Sequence, residues 1–279
     1  MSISNMRWRA ALALITAGAA AAAVLGLAAP AGASTGTAQI SPEQSGYTAT
    51  GGLFKTIVAG VYLRQPGRYA SEVASFGHSI QLWSSALVAT VGVTASTSGS
   101  GYATYATIYD RSTHQVIASN PNAQHCIDDA CFPGAGDFSP GDDTLYLLYN
   151  PATGVVNMAE YGSQGLSFFS SYTVPGQSFT QARVGTEFGS SPWDGSYSYT
   201  PPAQAVRVAA YHRVELVTYS GHDSTLSSWW VHHKLLANTG QQSGHDWVAV
   251  PTDLTDGGAK FQTWFVPQSG QRPAQPVLH

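Results

Sequence analysis

The chain has 279 residues, with 12 Lys and Arg against 16 Asp and Glu, and only 10% of its residues are charged. A formal net charge of −4 excludes a nucleic-acid surface, which needs a basic stripe. The abundance of Gly, Ser, Thr and Tyr suits a sheet protein with many turns, and a chain of this length buries enough core to be stable without a disulfide framework.

Taken in order, residues 1–33 read as a signal peptide. Arg7 and Arg9 form a positive start, Ala10 to Ala29 an apolar run, and Ala31-Gly32-Ala33 the small-residue pattern after which cleavage is expected. Cleavage would leave 246 residues with ten Lys and Arg against 16 Asp and Glu, a charge of −6. No later stretch is long and apolar enough to span a bilayer. The expected product is a secreted monomer without membrane contact.

Residues 34–44 read as a flexible lead-in, 45–266 as one β-domain, and the Pro-rich residues 267–279 as a disordered tail. Strands are expected at Tyr47 to Thr50 and, after the Gly51-Gly52 turn, at Leu53 to Leu63. Ser79 to Trp83 and Leu87 to Val93 follow. Ala103 to Tyr109 and Gln115 to Ala118 form a hairpin whose turn is made by side chains. Thr144 to Asn150, Val155 to Tyr161 and Leu166 to Val174 continue as a meander. Thr180 to Gly189 is an alternating segment carrying Glu187. Ser190 to Pro202 is a loop with aromatic contents, and Ala205 to Tyr211, Arg213 to Thr218, Trp229 to Ala237, Asp246 to Val250 and Lys260 to Val266 close the domain. No helical period with caps stands out. Many short strands joined by turn chemistry imply two packed antiparallel sheets or a closed barrel, the sandwich being preferred.

Cys126 and Cys131, five residues apart in an exported chain, read as a disulfide with Cα atoms about 4.4–6.8 Å apart. The competing reading is a metal site with His125, Asp128 and Asp129, but the ligand set is thin, and no metal is expected. No glycine-rich phosphate loop with a Lys appears, so no cofactor is expected. Nor is there a Gly-x-Ser-x-Gly elbow.

The order of the pieces resembles the glutamic peptidases, or eqolisins. Ser45 to Ile57 is similar to that family's first hairpin, Thr90-Val91-Gly92-Val93-Thr94 falls where it has Gln-x-Gly-Val/Thr-Asp/Glu, and Ser139-Pro140-Gly141-Asp142 matches its turn before a long strand. Ala182 to Phe188 falls where it has Ala-Glu-Trp-Ile-Val-Glu, with Glu187 on the catalytic Glu. The resemblance implies a concanavalin A-like jelly-roll β-sandwich of two antiparallel sheets. It further implies an acid endopeptidase in which Glu is general base and Gln holds the water and the oxyanion.

Two departures bear on activity. The Gln position is Thr90, whose hydroxyl is shorter and donates one hydrogen, and the Trp of Ala-Glu-Trp is Val184. Gln81 is the alternative donor, on one strand face with Trp83, although it precedes the Thr90 strand instead of opening it. Because removing an oxyanion donor costs roughly 3–4 kcal/mol, the expectation is a degenerate site with no robust cleavage. Glu187 is expected to point away from the core, where burial raises its pKa, with Phe188 on the core side. Trp83 and Trp193 are candidates for contact with a polypeptide or glycan. Two alternatives stay open. One is a lectin-like binding protein using Trp193, Tyr197, Tyr199, Trp229 and Trp230. The other is a glycosidase, which needs two facing carboxylates among Glu160, Glu187 and Glu215.

Overall fold

The computed structural model describes residues 39–41, 44–63, 76–95, 102–127, 130–133, 137–138, 142–188, 206–228, 231–238 and 247–267. The expected signal peptide, the tail beyond Pro267, most of the Ser139 to Asp142 turn and the loop holding Trp193 lie outside these residues.

Nineteen strands and two short 3-10 turns make up the described residues, which hold no α-helix. They form a jelly-roll β-sandwich. One sheet runs β6 (Tyr102–Asp110), β5 (Leu87–Ala95), β4 (Phe76–Trp83), β14 (Gln181–Phe188), β2 (Gln44–Thr50), β17 (Val231–Asn238), every neighbour antiparallel. The other runs β13 (Gly165–Thr173), β12 (Val155–Gly162), β11 (Asp142–Asn150), β3 (Phe54–Leu63), β15 (Val206–Thr218), β19 (Phe261–Pro267). Strand β18 (Trp247–Pro251) pairs with both β17 and β19 and so joins the two sheets at one corner.

Alternation places the core between the sheets. Ile80 and Leu82 of β4, Val91 and Val93 of β5, Ala106 and Ile108 of β6, and Ala182 and Val184 of β14 point inward. They meet Ile57, Val61, Leu145, Leu147, Val156, Met158 and Leu216 from the second sheet, all of them buried in one continuous cluster. Each fully buried Leu, Ile or Val adds roughly 1.5–3 kcal/mol. A separate small cluster, Trp83, Val88 and Tyr109, lies on the other face of the first sheet.

Several elements differ from the sequence reading. The first two long strands do not pair as a hairpin. β2 pairs with β14 and β17, whereas β3 pairs with β11 and β15, so Gly51, at φ +89°, carries the chain from one sheet to the other. Leu53 and Phe54 are held there by Tyr219 N–H to Leu53 O at 2.8 Å and Phe54 N–H to Phe179 O at 2.8 Å. The stretch read as a lead-in contains β1 (Gln39–Ser41), parallel to β17. The two strands expected at Ala205 to Tyr211 and Arg213 to Thr218 are one strand, β15. Its register on β3 shifts between His212 and Glu215, where Arg213 takes φ +52°.

Other expectations hold. The hairpin from β6 to β7 (Val116–Ser119) turns on Asp110, whose Oδ1 accepts from Ser112 N–H, Ser112 Oγ and Thr113 N–H at 2.7–2.9 Å. Cys126 and Cys131 are bonded. Their Cα atoms are 4.1 Å apart, shorter than expected, because they are direct cross-strand partners in the hairpin of β8 (Gln124–Ile127) and β9 (Ala130–Pro133).

Between the sheets lie two polar groupings. His78, Thr186, Tyr211 and Thr263 are buried and joined, with His78 Nδ1 3.1 Å from Thr186 Oγ1 and 3.0 Å from the Tyr211 hydroxyl. Burial pushes His78 down to about 3. On β11 and β12, Asp143 and Glu160 form a buried carboxyl pair. Burial, then the Glu160 charge and a hydrogen bond to it, push Asp143 up to about 8. Burial likewise raises Glu160, against hydrogen bonds from Ser167 and Asp143.

Candidate active site

The outer face of the first sheet carries the groups that chemistry could use. On β14, Ala182, Val184 and Thr186 face inward, so Arg183, Gly185 and Glu187 face outward. Pairing brings Gln81 beside Arg183, Ser79 beside Gly185 and Gly77 beside Glu187. Two of those outward positions are glycines without side chains. Glu187 therefore has room to lean along the face toward Ser79 and Gln81.

Its carboxylate is fully partnered. Oε1 accepts from Ser79 Oγ at 2.5 Å and from Gln81 Nε2 in a shorter contact, and Oε2 accepts from the Tyr105 hydroxyl at 2.7 Å. The orientation of the Gln81 amide follows from its other neighbour. Trp83 Nε1 lies 2.6 Å from Gln81 Oε1, and an indole N–H can only donate, so the oxygen must face Trp83 and the NH₂ must face Glu187. Gln81 and Trp83 are two residues apart on one strand face, which is what brings them into reach. The Arg183 guanidinium lies 3.8 Å from the centre of the Trp83 ring, and that of Arg111 5.5 Å from it.

Glu187 is 6% exposed and Gln81 1%. Burial raises the Glu187 pKa, while hydrogen bonds from Ser79, Tyr105 and Gln81 and the positive charge of Arg183 pull it back. The balance leaves it above the ordinary carboxylate value. Arg183 acts on Glu187 through its positive charge. Burial, and next the Glu187 charge, hold the Tyr105 phenol well above its usual value, so it stays a donor.

Among the expected site residues, Glu187, Gln81 and Trp83 come together. Thr90 sits opposite Gln81 on β5, fully buried, and its hydroxyl has no hydrogen-bond partner and does not reach Glu187. Trp193 lies outside the described residues, as does the side chain of Phe188. Ser79 and Tyr105 were missed. Ser79 had a signal, since it shares the alternating face of Gln81 and Trp83, but Tyr105 arrives from β6, two strands beyond β4, and left none. Among the described residues no three His, Cys, Asp or Glu side chains converge to hold a metal. Nor does a second carboxylate face Glu187. Glu160 pairs with Asp143 between the sheets, and Glu215 interacts with Asp223. The two facing carboxylates of a glycosidase are not found among these residues.

An amide and a carboxylate are thus in direct contact on the outer face of a jelly-roll sheet. No protein-family model matches the sequence, nor does any curated protein. Among solved structures the chain is similar to scytalido-glutamic peptidase with a transition state analog inhibitor, at a TM-score of 0.53 and 13% identity, over 80% of this chain and 97% of that one. It is also similar to scytalido-glutamic peptidase with a peptide-based transition state analog, at a TM-score of 0.50 and 12% identity, over 81% and 98%. At such identity the likeness is one of fold.

Proposed function

We propose that the protein is an exported acid endopeptidase of the glutamic type, with Glu187 as general base and Gln81 as the amide partner. The observation that carries this reading is the Gln81 Nε2 contact with Glu187 Oε1, its direction fixed by Trp83. The absence of Gln at position 90 then no longer argues for a degenerate site, because strand β4 supplies the amide from the next strand. The disulfide suits an oxidising compartment. So does the signal-like N-terminus.

In the reaction, Glu187 takes a proton from water as the water oxygen bonds to the scissile carbonyl carbon, and the carbonyl π pair moves onto oxygen. Gln81 Nε2 turns to donate to that oxyanion, a contribution that elsewhere reaches roughly 10²–10³-fold in rate. Glu187 then returns the proton to the amide nitrogen as the C–N bond breaks, which leaves a carboxyl group and an amine. The raised pKa of Glu187 suits it to hold and return that proton in acid medium.

The test is cleavage of an unfolded protein at acid pH by the chain lacking residues 1–33, beside Glu187→Gln and Gln81→Ala. Cleavage by the parent and its loss in both variants is expected. Absence of cleavage by the parent, or equal cleavage by all three, would refute the reading and leave a non-catalytic binding protein as the better account.

A further inference from the structure

Of the three donors on Glu187, Ser79 and Gln81 have essentially no exposed surface, whereas Tyr105 is only half-buried. Tyr105 keeps some exposed surface, while its hydroxyl lies on the carboxylate. It reaches the carboxylate because of Gly92. Tyr105 pairs with Gly92 across β5, and a Cβ on that glycine would lie 2.7 Å from the Tyr105 hydroxyl oxygen. The ring thus lies across a strand at the one position where no side chain blocks it. The two carboxylate oxygens are also unequal. Oε1 carries two donors, from Ser79 and Gln81, while Oε2 carries one, from Tyr105.

We infer that Tyr105 is a further catalytic residue of this site, its O–H turning from Glu187 Oε2 to the substrate carbonyl oxygen as the carboxylate takes the water proton. The inference rests on the peptidase reading of Glu187 and Gln81. The phenol keeps its proton throughout. The water proton goes to Glu187 Oε2, the water oxygen bonds to carbon, and the oxyanion receives hydrogen bonds from Tyr105 and Gln81. Once protonated, Oε2 no longer carries the charge that held the phenol, so the same event that creates the oxyanion releases a donor for it. The other titratable groups acting on Glu187 are Arg183 on its own strand and, through charge, Tyr109 on β6 and Tyr211 from the second sheet.

The experiment measures kcat, KM and their pH dependence on a peptide substrate for the parent and Tyr105→Phe, with circular dichroism and urea midpoints as fold controls. The expected result is a fall in kcat of about 100-fold with KM little changed. The acid limb of kcat/KM should also move to higher pH, because ionised Glu187 loses a donor. A series of fluorotyrosines at position 105 keeps the ring and changes only O–H acidity. In that series kcat is expected to follow phenol acidity, and it decides the matter if Tyr105→Phe fails to fold. A parent that cleaves beside a Tyr105→Phe variant of equal kcat, or a flat fluorotyrosine series, overturns the role of Tyr105 and leaves the peptidase reading standing. A parent that does not cleave overturns both, and the failure is then that of the peptidase reading.

Discussion

The Asp143–Glu160 pair should make the fold lose stability as pH rises. Both carboxyls are buried, at 3% and 0% exposure, and Asp143 Oδ2 and Glu160 Oε1 have no other hydrogen-bond donor. One proton between them satisfies both atoms. In the unfolded chain Asp143 would titrate near about 4, and in the folded protein it is pushed up to about 8. Between those values the native state holds a proton that the unfolded state has lost, so its stability falls with pH by a little over 1 kcal/mol per unit. The full contribution is present below about pH 4 and lost on passing about pH 8, a total on the order of 5 kcal/mol. A whole domain has only about 5–15 kcal/mol.

His78 acts in the opposite sense. It is held neutral and pushed down to about 3, whereas in the unfolded chain it gains a proton below about 6.5, so its contribution rises with pH up to that point. The carboxyl effect is therefore partly masked below about pH 6.5 and unopposed by His78 above it. The assay is urea unfolding at a series of pH values from about 4 to 8, on the parent and Asp143→Asn. The amide removes the second charge while keeping a donor toward Glu160. The variant should match the parent within about 1–2 kcal/mol at the acid end and exceed it by several kcal/mol at the alkaline end. A difference between the two curves that stays constant across the range would refute the shared proton.

Other outcomes follow from single contacts. Thr90→Val should keep activity and leave stability equal or up to about 1 kcal/mol higher, because the hydroxyl it removes is buried without a partner. Loss of cleavage in that variant would return the donor role to position 90. Trp83→Phe removes the donor on Gln81 Oε1 and should cost about 1–3 kcal/mol in urea unfolding, together with a fall in kcat as the amide is freed to rotate. Reduction of Cys126–Cys131 should cost less than about 3 kcal/mol, the value for a loop of roughly 15 residues, since only four residues lie between them. A thermal melt that loses the whole β signal on reduction would show that the hairpin supports the core after all.

The sandwich was legible because alternation, turn residues and the lack of helical period all point the same way. The faces of β14 could be read with equal confidence, since Val184 and Thr186 inside force Glu187 outside. Connectivity was less legible. Gly51-Gly52 looks like a hairpin turn, but whether the strands on either side pair with each other or part to different sheets depends on partners far along the chain. The single strand β15 was divided in the sequence reading because the bulge at His212 and Arg213 breaks the alternation locally.

The amide shows most clearly where one-dimensional spacing fails. Counting along the chain places Thr90 where a Gln was sought, but the carboxylate does not read the chain in that direction. Its neighbours are set by lateral pairing, and β4 stands between β14 and β5. A donor on β4 is adjacent to Glu187, one on β5 is a strand further away, and one on β6 is further still, from where the long side chain of Tyr105 crosses the gap over Gly92 of β5. Thr90 is too short from its strand, and Gln81 needs no extra length from its own. The four groups of the site come from three strands, so their convergence depends on register. A slip of one residue in β4 against β14 would turn Ser79 and Gln81 into the core and bring His78, Ile80 and Leu82 to the carboxylate. The buried inward residues of β4 forbid that slip, with Ile80 and Leu82 fixed in the hydrophobic core and His78 hydrogen-bonded to Thr186 and Tyr211. The polar contacts between the sheets thus hold the outer face in register, although none of them touches Glu187.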